Sequence, residues 1–315
     1  MEEYHHQTSQ ENQVSLKRKL FSESQLNQVT PLWMKLIFFV IGWLGFKVLA
    51  QLVQAAMLPL YRMGIIDAGL FNCLLMLIVY GLLALTFALF LFFNKKIGKA
   101  FLLDFKDYKA VLSGLVVCVV VLFAENLMSS LYRILCPDIY GANSNQQGLQ
   151  SYVSSSPIML FFPIVLFAPF TEELTYRVGL VDSAGKKNRW IGIIVSAIIF
   201  GFIHFSFDSI FLCINYDQLL EAGSTSLIKS ISETNIPTYY TYQEVKNMML
   251  NEFLNLPIYI LAGFIMAFGY AFTGKISTSI TAHFTNNLIS YISMLILLNQ
   301  TNNSQMVTLW SKFLW

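Results

Sequence analysis

The chain has 315 residues, of which 56% are hydrophobic and only 12% are charged. Soluble domains carry about 25% charged residues, so this composition excludes an ordinary soluble domain and indicates a protein built for lipid. The net charge is +2, and the basic residues are spread between apolar runs, which gives no basic patch for nucleic acid.

Seven apolar stretches are long enough to cross a bilayer, which takes about 20 helical residues. In chain order they are about 32–55, 69–94, 110–132, 157–182, 190–207, 253–273 and 276–299. The sequence therefore predicts an all-α fold, a polytopic transmembrane helix bundle of seven or eight spanning helices.

The composition changes along the chain predict three parts. Residues 1–31 form a polar N-terminal tail without a cleavable signal peptide, residues 32–300 form the transmembrane core, and residues 301–315 form a C-terminal tail. Two connections stand out: 137–156 is a polar loop, and 208–252 is a long acidic insertion. Within the insertion, 243–252 predicts a short amphipathic helix at the membrane surface.

The positive-inside rule predicts the orientation. One set of alternate segments carries twelve Lys and Arg residues, and the opposite set carries five. This bias places the N-terminus in the cytoplasm and the C-terminus outside. The low charge and the Asn-, Phe- and Ile-rich composition indicate a bacterial plasma membrane.

Three charged residues lie inside the fourth apolar stretch. Each charge near the bilayer centre costs roughly 2.5–3.5 kcal/mol on insertion scales, so Glu172, Glu173 and Arg177 need partners or a function. Glu173 and Arg177 are four residues apart and can pair on one helix face. Glu172 points about 100° away on a helix of 3.6 residues per turn, and it has no such local partner.

Two of the four histidines also lie in apolar stretches. His204 follows Phe200 by four residues, and Asn287 follows His283 by four. At a rise of 1.5 Å per residue, Glu172, His204, His283 and Asn287 lie roughly 15, 21, 12 and 18 Å from the same membrane side. The spacing therefore predicts a shared interior site.

The side-chain chemistry of this site indicates hydrolysis. A carboxylate and an imidazole that flank one water can act as a general base for attack on a carbonyl carbon. A second imidazole and an amide can donate hydrogen bonds to the oxyanion that develops. We therefore predict hydrolysis of an amide bond in or beside the membrane.

These residues resemble the motifs of the CPBP family, the CAAX prenyl endopeptidases and bacteriocin-processing proteins, also called the Abi family. The family motifs EExxxR, FxxxH and HxxxN/B correspond here to residues 172–177, 200–204 and 283–287, in order and on separate apolar stretches. The resemblance covers roughly 110–300, and the polar stretch 143–146 is also similar to the family.

The resemblance implies an intramembrane endopeptidase and a role for each motif residue. Glu172 and His204 would activate the hydrolytic water, and His283 and Asn287 would stabilise the oxyanion. The supporting residues, Glu173 and Arg177, would orient the site.

The resemblance also bears on metal. The family has been described as metalloproteases, and two glutamates with two histidines could bind zinc, but no HExxH motif is present. We therefore expect no cofactor and no metal. The sequence departs from the family at Val178, where a glycine or alanine often follows the motif arginine, and in the length of the 208–252 insertion.

The expected partners are the lipid bilayer and a peptide or membrane-protein substrate, with a prenylated C-terminus or a bacteriocin or pheromone precursor as options; no nucleic acid is expected. Two other functions remain: a non-hydrolytic bacteriocin immunity or scaffold protein, and a proton-coupled transporter, although the chain shows no internal repeat. The sequence has no GxSxG motif and no aspartate deep in an apolar stretch, so it does not indicate an intramembrane serine protease or aspartyl protease. Glu125 is expected either to line the same cavity or to pair with Lys47.

Overall fold

A computed structural model describes residues 20–208, 210–214, 228–231 and 237–313 of the chain. The described part is mainly helical, which confirms the all-α, polytopic fold class. Its helices include α1 (Gln25–Val29), α2 (Leu32–Arg62), α3 (Ala68–Phe93), α4 (Lys95–Lys106), α5 (Tyr108–Leu135), α6 (Ser144–Ser155), α7 (Pro157–Val181), α8 (Arg189–Ile203), α9 (Tyr242–Thr273) and α10 (Ile276–Phe313).

Five of these helices, α2, α3, α5, α7 and α9, are long and apolar enough to cross a membrane. Helix α8 is apolar but has only 15 residues, about 22 Å at 1.5 Å per residue, which is shorter than a hydrocarbon core of about 30 Å. Helix α10 contains the seventh predicted stretch. All seven stretches therefore form helices, and the protein is a membrane protein.

The 208–252 insertion differs from the prediction. Its described part contains a two-stranded antiparallel hairpin, β1 (Ile228–Ile231) and β2 (Pro237–Tyr240), with Ile228 opposite Tyr240. The prediction that 243–252 is helical is confirmed, but its short length and surface position are wrong, because these residues form the first turns of α9. A capping box between Thr241 and Glu244 starts α9 ahead of the apolar stretch, and Glu252 is only 1% exposed rather than at a surface.

The 137–156 connection is not entirely a loop. Most of it forms α6, which begins where the Asn143 side chain accepts a hydrogen bond from the Gln146 backbone N–H at 3.0 Å. Asparagine is a preferred N-cap because its side-chain oxygen satisfies a backbone donor that the first helical turn leaves free. The polar composition of the segment concealed this helix.

The chain ends also extend the core. Residues 20–31 pack on the bundle, since Ser22 N–H donates to the Ala271 carbonyl at 3.1 Å and Leu26 is 1% exposed. At the other end, α10 continues through the predicted C-terminal tail to Phe313. The part of the predicted N-terminal tail before residue 20 lies outside the described residues, and the domain boundaries stay predictions.

Helix α7 lies at the centre of the bundle. In its most apolar 18-residue window, 61% of the residues are buried inside the protein, compared with 6% in α2. Its neighbours include α2, α3, α8 and α10. Two wider π-helical segments, Phe162–Phe167 and Leu174–Val181, lie on either side of Glu172 and Glu173. Such π segments recur at functional sites.

One end of the bundle is closed by buried ion pairs. Arg189 Nη1 lies 2.6 Å from Asp182 Oδ1 across the α7–α8 turn, and the Tyr270 hydroxyl donates to Asp182 Oδ2 at 2.6 Å. Asp104 of α4 accepts from Lys275 Nζ at 3.2 Å and from the backbone N–H of Ile276 at 3.0 Å, and burial raises the pKa of the Asp104 carboxyl. These contacts fix the end of α7 and the start of α10, the two helices that carry Glu172 and His283.

Candidate active site

The predicted pair on α7 is formed, and it is completely buried. Arg177 donates from Nε to Glu173 Oε2 at 2.8 Å and from Nη2 to Oε1 at 3.1 Å. Its Nη1 donates to Ser196 Oγ on α8 at 2.8 Å, and that hydroxyl donates to the Tyr176 carbonyl at 3.2 Å. Glu173 and Arg177 are 0% exposed, so neither charge is solvated and each is stabilised by this fork-shaped pair and by hydrogen bonds to neighbouring side chains.

His283 connects the two neighbouring glutamates. Its Nδ1 lies 2.9 Å from Glu173 Oε1, and its Nε2 lies 3.9 Å from Glu172 Oε2. The first distance is a hydrogen bond, whereas the second is too long for one. Because Glu173 accepts at Nδ1, the Nε2 side of the ring is left facing Glu172.

Glu172 is held at one oxygen and unpaired at the other. The Tyr80 hydroxyl of α3 donates to Oε1 at 3.0 Å. Oε2 is buried and has no hydrogen-bond partner among the residues that the structure describes. Glu172 has no partner on its own helix, as predicted. One of its two oxygens is instead bound by a neutral donor from another helix.

Asn287 is placed by an unusual gap in α7. The N–H of Ala168 bonds to the Pro163 carbonyl in the π segment, and the next residue, Pro169, has no N–H to donate. The Ile164 carbonyl therefore lacks a donor from its own helix. Asn287 Nδ2 supplies it from α10, at 2.9 Å.

His204 lies at the end of α8 rather than inside it. The prediction that the fifth spanning segment extends to 207 is wrong, because α8 ends at Ile203 and His204 is its C-cap. His204 Nδ1 lies 3.4 Å from Asn145 Nδ2, and its backbone carbonyl accepts from Asn143 Nδ2 at 3.2 Å. The ring also stacks on Tyr259 of α9, with 4.6 Å between centroids. Side chains from α6 and α9 thus replace the missing helical turn.

The Phe200 ring joins the parts of the site. Its centroid lies 5.0 Å from the His204 ring and 5.6 Å from the His283 ring, and the Arg177 guanidinium carbon lies 5.4 Å away. Gly263 of α9 lies behind Phe200, and a Cβ there would approach Phe200 Cδ1 to 2.9 Å. The absence of a side chain at Gly263 lets α9 pack against the ring that separates the two histidines.

A second polar network secures the segments beside His204. Glu252 of α9 accepts from Ser144 N–H at 2.7 Å and from Ser206 N–H at 3.2 Å, and Asn251 accepts from Gly141 N–H at 2.9 Å. One carboxylate therefore fixes both the start of α6 and the chain after α8. This network holds Asn145 and His204 in register.

In the structure, Glu172, Glu173, Arg177 and His283 form one group of neighbouring side chains. His204 lies next to this group against the Phe200 ring, and Asn287 binds the Ile164 carbonyl of α7. The roles of these residues stay predictions.

The alternative pairing of Glu125 with Lys47 is wrong. Lys47 Nζ lies 5.0 Å from the Trp43 ring centroid, and the described residues contain no ion pair between Lys47 and Glu125. The other alternative, in which Glu125 lines the site, stays a prediction.

Several residues that contact the predicted site residues were not predicted from the sequence, among them Ser196, Asn145 and Tyr80. Ser196 lies four residues before Phe200, on the face that carries the second motif, so helical spacing could have identified it. Asn145 falls in the polar stretch that resembles the family, although its contact with His204 could not be foreseen. Tyr80 is an isolated hydroxyl in an apolar helix, and nothing in a single sequence distinguishes it.

The arrangement of possible metal ligands was also compared with the requirements of a metal site. In the described ranges, no group of three or more His, Cys, Asp or Glu side chains is arranged to hold a metal ion. His283 already uses Nδ1 on Glu173, which leaves one ring nitrogen near Glu172. The absence of a metal from the mechanism stays a prediction.

Comparison with known proteins finds a family match over part of the chain. Residues 154–289 match the family model for type II CAAX prenyl endopeptidase Rce1-like proteins, and this range contains all three motifs. No curated protein and no solved structure matches the chain.

Proposed function

We propose that this chain is a membrane endopeptidase of the CPBP/CAAX protease family and that it hydrolyses its substrate with a water molecule activated by Glu172 and His204. The observation that carries this mechanism is the state of Glu172. Its carboxylate is buried, Tyr80 holds Oε1, and Oε2 has no hydrogen-bond partner in the described part while it lies 3.9 Å from His283 Nε2. A buried acceptor without a partner is costly unless the site uses it.

In the first step, a water oxygen attacks the carbonyl carbon of the scissile peptide bond. Glu172 Oε2 accepts the proton that the water loses, so the new C–O bond forms as the O–H bond breaks. Tyr80 stays on Oε1 throughout. The buried surroundings strengthen this proton transfer, because few water molecules compete for the carboxylate.

The carbonyl oxygen becomes an oxyanion in this step, and His283 and Asn287 are the proposed donors to it. A protonated His283 can donate from Nδ1 to Glu173 and from Nε2 to the oxyanion. Asn287 uses one amide hydrogen on the Ile164 carbonyl and keeps a second one. Donors fixed in this way need no reorganisation when the negative charge appears.

The charges of the site support a protonated His283. Arg177 balances Glu173 through two hydrogen bonds, which leaves the Glu172 carboxylate without a cation of its own. An imidazolium at His283, 3.9 Å from Glu172 Oε2, supplies the missing positive charge. The group formed by Glu172, Glu173, Arg177 and His283 then has no net charge, which avoids the large cost of an unpaired buried charge.

His204 is proposed to act on the water from the opposite side. With Asn145 Nδ2 facing its Nδ1, a neutral His204 carries its proton on Nε2. That N–H can orient the attacking water towards Glu172. When the tetrahedral intermediate collapses, the C–N bond breaks and the proton held by Glu172 moves to the leaving amine, which completes the hydrolysis.

The substrate is proposed to be a peptide or a segment of a membrane protein, with prenylated C-termini and bacteriocin or pheromone precursors as specific classes. The proposed location is the bacterial plasma membrane with the N-terminus in the cytoplasm, which is supported by the excess of Lys and Arg on one set of connections.

The test compares membranes of cells that produce the wild type or Glu172→Gln at equal levels. New peptide termini are identified by mass spectrometry, and a quenched prenyl-peptide panel is assayed with each purified protein in detergent. We expect termini and peptide cleavage that depend on Glu172. Equal patterns from two folded proteins would refute hydrolysis at this site, and an immunity phenotype that survives in Glu172→Gln would favour the non-hydrolytic alternative.

A further inference from the structure

A side chain from outside the matched family region reaches Glu172. Tyr80 belongs to α3, whereas the matched range begins at residue 154. Its hydroxyl lies 3.0 Å from Glu172 Oε1, and its ring packs 5.0 Å from the Phe46 ring of α2. The donor is therefore held in place by a neighbouring helix, independently of the three motifs.

We propose that Tyr80 is a positioning residue for Glu172, which fixes Oε1 so that Oε2 is the oxygen that takes the proton from water. This inference rests on the proposed function. A carboxylate held at one oxygen cannot rotate freely about its last side-chain bond, and a general base must be aligned closely with the proton that it removes. The partnerless Oε2, directed towards His283, is the expected result of this arrangement.

The type of donor matters as much as its position. Glu173 receives two hydrogen bonds from a guanidinium, which stabilise its charge and weaken it as a base. Glu172 receives its hydrogen bond from a neutral phenol, which orients the carboxylate with a much smaller loss of basicity. Two adjacent glutamates thus receive donors suited to two different tasks.

The pH dependence follows from the charges around Glu172. The titratable or charged groups that interact with its carboxylate come from three helices: Tyr80 of α3, Glu173, Tyr176 and Arg177 of α7, and His283 of α10. Only the tyrosine hydroxyl is removed by Tyr80→Phe, and this hydroxyl stabilises the ionised carboxylate. Loss of the hydroxyl should therefore move the acidic limb of the rate–pH profile to higher pH.

The experiment compares Tyr80→Phe with Tyr291→Phe in the purified full-length protein. Tyr291 is a matched control, because its hydroxyl also donates a hydrogen bond across the bundle, to the Pro157 carbonyl, but away from Glu172. We expect Tyr80→Phe to lower kcat about 10- to 100-fold, to leave KM within about 2-fold, and to shift the acidic limb. Tyr291→Phe should keep the wild-type kcat and pH profile.

A purely structural role predicts a different result. Partial misfolding of Tyr80→Phe would lower the whole pH profile by one factor without moving its limb, so the shape of the profile tests the proposal even if the variant folds poorly. A wild-type limb, or a wild-type kcat, would refute positioning by Tyr80. If Glu172→Gln were as active as the wild type, the proposed function itself would fail, which is a separate outcome.

Discussion

Glu172 and Glu173 are adjacent in sequence, yet the regions around them are opposite in character. Glu173 accepts two hydrogen bonds from Arg177 and a third from His283. Arg177 also donates to the Ser196 hydroxyl. Around Glu172, one neutral hydroxyl binds one oxygen, and the other oxygen has no partner in the described residues.

The difference follows from helix geometry. Successive residues on a helix point about 100° apart, so Glu173 contacts Arg177 and His283 while Glu172 accepts from Tyr80 on α3. A saturated ion pair is suited to hold structure, since its charges gain nothing from further contacts. A buried carboxylate with an unused oxygen is suited to accept a proton. The comparison therefore supports the proposed roles, which are orientation of the site for Glu173 and proton transfer for Glu172.

The largest expected effect is on Glu172. Glu172→Gln should reduce kcat by at least about 1,000-fold, because the amide cannot accept the proton of the attacking water. Its melting temperature in detergent should stay close to that of the wild type, because the isosteric amide keeps the Tyr80 hydrogen bond and the Glu173–Arg177 pair stays intact, so only the long 3.9 Å charge contact with His283 is lost. Steady-state peptide cleavage and thermal unfolding measure the two quantities. A folded Glu172→Gln that retained more than a tenth of wild-type kcat would abolish the distinction between the glutamates.

The next effect is on stability rather than chemistry. Glu173→Gln leaves the Arg177 charge buried without its partner, which should cost about 3–5 kcal/mol of unfolding free energy. Thermal unfolding in detergent should show a clearly lower midpoint than for Glu172→Gln, which is the isosteric control at the adjacent position. The folded fraction of Glu173→Gln should retain measurable cleavage. Normal stability with complete loss of cleavage would instead place Glu173 in the chemistry.

The surroundings of Glu173, in which the hydrogen-bonding groups are paired, form the saturated half of the site, and the surroundings of Glu172 form the open half. The sequence predicted the saturated half better than the open half. The Glu173–Arg177 pair needed only the four-residue spacing on one helix, and it is present. The Tyr80 contact and the Ile164–Asn287 bond could not be predicted, because each depends on how two helices pack and on which backbone groups the π segment releases. Local spacing determines contacts within a helix, whereas contacts between helices require the packed bundle.

The same reason explains the errors in the fold. Hydropathy located the apolar stretches but not the polar ends of their helices. Helix α9 begins 11 residues before its predicted start at 253, because its first turns use Asn251 and Glu252 to bind backbone groups of other segments. In the sequence, buried polar residues of this kind cannot be told from the polar face of a surface helix.

A smaller effect should sharpen the role of His204. Asn145→Ala removes the amide that faces His204 Nδ1 at 3.4 Å but leaves the stacking on Tyr259 and the backbone contact from Asn143. Because this contact is long, we expect kcat to fall only about 3- to 10-fold, with KM unchanged. The matched control is Gln147→Ala on the same helix, whose amide binds the Ala142 carbonyl instead. Equal kcat values for the two variants would show that Asn145 does not orient His204.

The smallest expected effect is that of a metal chelator. If the open half of the site is a proton-transfer site, 1,10-phenanthroline should leave kcat within about 2-fold of the untreated value. The donor geometry supports this expectation: the described residues contain no group of three suitable ligands, and Glu173 already accepts at Nδ1 of His283. Zinc sites need three or four protein ligands with short metal–ligand distances. The matched control is the non-chelating isomer 1,7-phenanthroline, which separates metal removal from effects on the detergent or bilayer. Inhibition by the 1,10 isomer alone, reversed by added Zn²⁺, would mean that Glu172 Oε2 is a metal ligand and that the open half of the site differs from the Glu173 half for a different reason.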